Sequence, residues 1–269
     1  MSNFTTIELI ISENIATIWF NRPEVRNGFN EVMIAEVTEC INSINENADV
    51  RIVVFRGKGK SFSAGADLNW LGGVANYTFE QNYNESSELA KCFYSIYTCK
   101  KPTIAIAHGA SIGGANGFLA ACDFAFCEDS TVFSLSEVKI GIIPSCISPY
   151  VRKRVGEYVS KELMLSGQRF YGNDAEKYRL VNKSLPKELL EEYVENTIKQ
   201  LLTSGPNAMT ACKNLIFNIS NKLTFNESID YTAKMIAELR ASKEGQEGMA
   251  SFLEKRKPCW VEKSPKSED

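Results

Sequence analysis

Phe62-Ser-Ala-Gly-Ala-Asp67 and Gly109-Ala-Ser-Ile-Gly-Gly114 each place small residues a short distance after an apolar run. Ile52-Val-Val-Phe55 precedes the first and Thr103-Ile-Ala-Ile-Ala107 the second. Such β-branched runs read as buried strands, so both stretches mark points where the chain leaves a sheet. After the second, a short apolar helix through Ala121 begins at once. Its unpaired N–H groups and positive dipole end therefore point out of the loop. Small side chains let a ligand reach those amides, and two that converge would bind an oxyanion. Two tight turns without a ligand fit the same composition.

Working outward, Ile7 to Ile11 and Ile15 to Phe20 form a hairpin pattern around Ser12-Glu13-Asn14. Asn21-Arg22-Pro23 breaks it, because the residue before a proline is pushed away from helix. From Asn30, Met33, Val37, Cys40, Ile41 and Ile44 recur at helical spacing. Thr78-Phe-Glu-Gln81 has capping-box form and opens a helix to about Thr98. Short strands follow at Asp123–Cys127 and Val132-Phe133. This strand, strand or loop, helix rhythm predicts an α/β fold with several parallel crossings. Beyond Pro144 the pattern turns helical, with candidates at Lys187–Thr203, Pro206–Ser220, Asn226–Ser242 and Gly245–Lys255, and a second capping box at Thr224-Phe-Asn-Glu227. The predicted organisation is a core over 1–200, a helical region over 201–260 and a polar, disordered tail over 261–269.

Composition removes several function classes. The chain of 269 residues is 44% apolar and 23% charged, a soluble globular balance. Its 30 basic and 33 acidic residues are interleaved, which argues against nucleic acid as the main partner. A single histidine, His108, rules out a site built from several imidazoles of this chain, and no metal is expected. The eight cysteines show no CxxC spacing and the N-terminus has no leader pattern, so reduced thiols in a cytoplasmic protein are expected. No apolar run approaches the ~18 residues a membrane span needs.

Individual residues can be weighed in the same way. Gly59-Lys60-Ser61 ends like a phosphate-binding loop, but Val54 stands where its first glycine is required. His108 ends an apolar strand with no Gly-x-Ser-x-Gly nearby, which favours a structural role. Glu137, within Phe133-Ser-Leu-Ser-Glu-Val-Lys-Ile-Gly-Ile-Ile-Pro144, is flanked by apolar residues. An acid there is usually a solvated surface group. A partly desolvated one would have a raised pKa suited to moving protons near neutrality.

Taken together, Asn21-Arg-Pro-Glu-Val-Arg-Asn27, Phe62–Asp67, Ile112-Gly-Gly114, Ala121-Cys-Asp123, Ser136–Pro144 and Phe252-Leu-Glu-Lys-Arg-Lys-Pro258 resemble the enoyl-CoA hydratase/isomerase (crotonase) superfamily. The likeness runs from about residue 5 to 260. It implies a spiral of ββα units with a C-terminal helical region that joins subunits into trimers or hexamers. It also implies a coenzyme A thioester as substrate, with no separate cofactor. Carried over by position, the amides of Ala64 and Gly114 would form the oxyanion hole. Ala64, Gly65, Ala66, Asp67 and Leu68 would line the CoA path, with Arg26 in reach of a phosphate. Phe252 and Lys255, three apart and so able to share a helical face, would touch the CoA of a neighbouring subunit.

One departure bears on chemistry. Hydratases of this family use two glutamates, and here the first position is Gly117, leaving Glu137 alone. A lone glutamate also matches the isomerases, where one base shuttles a proton along the acyl chain. Gly65-Ala-Asp-Leu-Asn-Trp70 and Ile142–Tyr150 are in turn similar to a bacterial methylglutaconyl-CoA hydratase subgroup. Ala115 replaces a third glycine but is small enough to leave the oxyanion hole intact. The expectation is hydration of a 2-enoyl-CoA, with 3-enoyl-CoA isomerisation, a non-catalytic CoA-binding or assembly role, and a decarboxylase or thioesterase of the same superfamily as alternatives. The acyl pocket is expected between Trp70–Tyr97 and Cys146–Tyr150.

Overall fold

The computed structural model describes residues 4–262. β1 (Ile7–Ser12) and β2 (Ile15–Phe20) form the antiparallel hairpin. α1 (Glu31–Glu46) follows, capped by Asn30, whose side chain accepts from the Met33 amide. All of the apolar positions spaced for one face, from Met33 to Ile44, are buried. β3 (Ile52–Gly57) then pairs parallel to β2. α2 (Leu68–Val74) and α3 (Phe79–Tyr97) come next, α3 opening on the Thr78–Gln81 capping box.

β4 (Thr103–Ala107), β5 (Ala110–Ile112) and α4 (Ala115–Ala121) make one turn of the spiral. β6 (Phe124–Glu128), β7 (Val132–Ser134) and α5 (Ser148–Ser166) make the next. One sheet has the order β1-β2-β3-β4-β6 plus a sixth strand; the other joins β5 and β7 to a third. Each turn of chain crosses from the larger sheet to the smaller and returns through a helix. The Phe62–Asp67 stretch follows the same path, since Ser63 bridges Ser111 of β5 in parallel. The core lies between the sheets and helices, with Phe20, Phe62, Phe93 and Phe118 all fully buried. Phe118 packs edge-on against Phe20, Phe29 and Phe93 at centroid distances of 4.9, 5.7 and 5.0 Å. Contacts of this geometry contribute about 0.5–1.5 kcal/mol each beyond their buried area.

Two strands correct the expectation that the chain is purely helical beyond Pro144. β8 (Arg169–Tyr171) pairs antiparallel to β7, and after α6 (Gly172–Lys177), β9 (Lys183–Leu185) pairs parallel to β6. Each is three residues long, too short to carry a visible alternation. α7 (Lys187–Leu202) packs Leu190 and Val194 over the outer face of the larger sheet. α8 (Pro206–Asn221), α9 (Phe225–Ala241), α10 (Lys243–Leu253) and α11 (Cys259–Glu262) complete the chain. Lys213 of α8 ties this region to the sheet, binding Asp123 at 2.5 Å and the Lys101 carbonyl at 2.9 Å. Of the tail expected over 261–269, residues 263–269 lie outside those described, while Val261 and Glu262 close α11. Among the described residues no helix is long and apolar enough to cross a membrane.

Candidate active site

The two small-residue stretches meet. The Ser63 amide donates to the Ala110 carbonyl at 3.0 Å, and the Ile112 amide to the Ser63 carbonyl at 3.2 Å. Gly65, with φ +99°, lies so close that a Cβ there would sit 2.8 Å from the Ile112 carbonyl oxygen. Only glycine combines that backbone angle with that approach. On the other side, a Cβ on Gly114 would fall 2.6 Å from Phe29. Buried Asn116 holds the loop from beneath: its Nδ2 donates to the Gly113 and Ser134 carbonyls at 3.0 and 2.9 Å, and Ser111 Oγ donates to its Oδ1.

The amide left without an acceptor among the described residues lies two residues beyond Ala64, the one expected to serve as the first oxyanion-hole donor. The Ala64 amide is committed to the Arg26 carbonyl at 2.9 Å. Ala66 instead lines a cavity of about 190 Å³ together with Gly114 and Glu137. Among the described residues, the Ala66 and Gly114 amides have no hydrogen-bond acceptor. Gly65 was the available signal: with its positive φ it separates the occupied Ala64 amide from the acceptor-free amide of Ala66. Ala66 also lines a second cleft of about 490 Å³ with Arg26, Ala64, Asp67 and Leu68. It therefore stands where the two spaces adjoin.

Asp67 has a structural task. It caps α2 by accepting from the Asn69 and Trp70 amides, and it binds Arg22 at 2.8 Å. Burial alone would raise its pKa, but the two amides and the guanidinium outweigh that and hold the carboxyl below its ordinary range. Leu68, by contrast, is 83% exposed on the outer cleft.

Glu137 opens a single 3-10 turn after β7. It is half-buried beside Gly113, where a Cβ would lie 3.2 Å from its Oε1. Its Oε2 is buried and has no hydrogen-bond partner among the described residues. Burial pushes its pKa upward, only partly offset by a hydrogen bond from its own amide. Trp70, Leu71, Val74, Leu89, Cys146 and Ile147 complete much of the cavity wall, within the two segments expected to shape it.

Gly117 is more than a lost carboxyl. A Cβ there would meet Ile147 Cγ2 at 2.5 Å and Phe93 Cζ at 2.6 Å, so a side chain at that position would force both neighbours to shift. His108 has its Nε2 3.0 Å from the Gly59 carbonyl and lines neither the cavity nor the cleft. Phe252 and Lys255 do not share a helical face: α10 ends at Leu253, and Lys255 has a left-handed φ of +55°. Neither lines the cavity or the cleft within this chain.

This arrangement has known counterparts. The Enoyl-CoA hydratase/isomerase family model matches residues 10–263. The chain belongs to that family. An enoyl-CoA hydratase structure from Shewanella pealeana is similar with a TM-score of 0.92 at 34% identity, covering 96% of this chain and 97% of that one. The hydroxycinnamoyl-CoA hydratase-lyase of Pseudomonas fluorescens is 30% identical over 93% of this chain and 92% of its own length. The peroxisomal Delta(3,5)-Delta(2,4)-dienoyl-CoA isomerase of Arabidopsis thaliana is 28% identical over 96% and 98%. Family membership accounts for the crotonase fold and for acyl-CoA chemistry as the common activity. Hydratases and isomerases are both represented among these relatives.

Proposed function

We propose that the protein adds water across the double bond of a 2-enoyl-CoA, with Ala66, Gly114 and Glu137 as its working groups. The observation that carries this reading is the cavity that gathers two acceptor-free amides and a desolvated acid at the mouth of a longer cleft. CoA would occupy the cleft along Ala64 to Leu68, with Arg26 towards its phosphates, and the acyl group would enter the cavity. The thioester carbonyl would then accept from the Ala66 and Gly114 amides. As water attacks the β-carbon, charge moves onto that oxygen and the two donors stabilise the enolate. A donor of this kind typically contributes about 2.7–4 kcal/mol to the transition state. Glu137 takes a proton from the attacking water and returns it to the α-carbon, so one carboxyl serves both half-steps.

The crowding at Gly117 favours one further reading, a 3-enoyl-CoA isomerase in which Glu137 carries a proton from the α- to the γ-carbon. Turnover in heavy-oxygen water separates the two. Hydration labels the product alcohol with one heavy oxygen, whereas isomerisation leaves the product unlabelled. The family's habit of assembling through its C-terminal helices supports a trimer or hexamer, in which Phe252 and Lys255 would approach the CoA of a neighbouring copy. A methylglutaconyl-type chain, suggested by subgroup resemblance, differs from simple 2-enoyl chains by a methyl branch and by a carboxylate at its far end.

A further inference from the structure

The acyl cavity holds a second acid that the mechanism above does not use. Glu85 of α3 lines the cavity with Glu137 and accepts a hydrogen bond from the Trp70 indole Nε1. Trp70 is itself fixed edge-on against Phe29 at 5.6 Å, which in turn packs on Gly114. Glu85 is thus anchored to the same wall as the oxyanion loop. Among the described residues no lysine, arginine or histidine lines the cavity. On its other side Glu85 borders a groove between α1 and α3 in which Lys91, the one basic side chain among the described residues lining it, is bound to Glu88 at 2.7 Å.

We propose that Glu85, positioned by Trp70, selects the charge of the acyl group: the cavity takes a short neutral chain and rejects one ending in a carboxylate. This rests on the reading that the site binds acyl-CoA thioesters. The physical reason is that a terminal carboxylate would enter a small, largely apolar space already carrying two acids. It would lose its hydration and meet like charge with no cation to offset either cost. A neutral chain of equal length meets only apolar wall.

Valeryl-CoA and glutaryl-CoA make the comparison directly, since they differ only in a terminal methyl against a terminal carboxylate and neither can be turned over by hydration. Calorimetric titration of the intact protein is expected to give binding at least tenfold weaker for glutaryl-CoA. Glu85→Gln, which keeps the shape and the indole contact, is expected to narrow that ratio at least fivefold. Glu88→Gln, one turn further along α3 and outside the cavity, leaves it in place. Equal or tighter binding of glutaryl-CoA by the wild-type chain overturns the proposal, and this arm stands even if Glu85→Gln does not fold. A ratio unmoved by a folded Glu85→Gln overturns it as well. Binding of neither thioester contradicts the acyl-CoA reading beneath it, a result readily told apart from the other two.

Discussion

Glu137 carries an uncompensated cost in the folded chain, because Oε2 is buried without a donor and burial disfavours the charged form. An acid whose pKa is raised on folding is no burden while protonated in both states. It removes stability as pH rises through the raised value. Glu137→Gln does not titrate, so it is predicted to raise Tm above wild type at about pH 7.5, with the gap closing near about pH 4. Scanning calorimetry at the two pH values checks this. A variant that loses activity while gaining stability identifies a residue kept for chemistry rather than for folding. The main-chain donors obey the same economy of position. Ala64 and Ala66 have the same side chain and lie two residues apart, yet the Arg26 carbonyl occupies one amide while the other, in a residue lining the cavity, has no acceptor among the described residues.

At the scale of elements, α3 and the segment leading into α5 press Phe93 and Ile147 against α4, where they fill the space beside Gly117. Gly117→Ala is therefore predicted to overpack the core and cost about 1–3 kcal/mol, read as a lower Tm. Gly117→Glu is predicted to add no hydratase activity to that of the wild type despite placing an acid at the family position. Activity above wild type in a folded Gly117→Glu would contradict this packing account. The long periodic elements were legible in the sequence. Helical spacing from Met33 to Ile44 and the capping boxes at Thr78 and Thr224 located α1, α3 and α9, because each reflects local physics. β8 and β9 were not, since three residues cannot show a period and their pairing partners are distant in the chain. The cavity was half legible: Gly114 and Glu137, both singled out in the sequence, line it together, whereas Ala66 is set apart from Ala64 only by the hydrogen bond that occupies the Ala64 amide. The Trp70–Glu85 contact spans two helices and leaves no sequence pattern.

Over the whole molecule, the C-terminal helices leave large apolar side chains in solvent. Phe225 is 89% and Phe252 83% exposed, with Ile229 and Leu253 also outward. Such exposure on a single chain of 30.0 kDa fits a surface completed by further copies. Sedimentation is predicted to give three or six times the chain mass, and Phe252→Asp to shift it towards smaller species. If Phe252 also reaches the CoA of a neighbour, the same variant raises KM for the thioester more than it lowers kcat. A wild-type chain that sediments as a monomer with full activity would contradict this arrangement.

The account depends most on a proton being moved by Glu137 while the amides hold the thioester. Its most direct test compares crotonyl-CoA turnover with butyryl-CoA binding in wild type and Glu137→Gln. The prediction is a fall in kcat of about a hundredfold or more, within the range for removing a general acid–base, with binding changed less than about threefold. A folded variant that turns over crotonyl-CoA at the wild-type rate would contradict it.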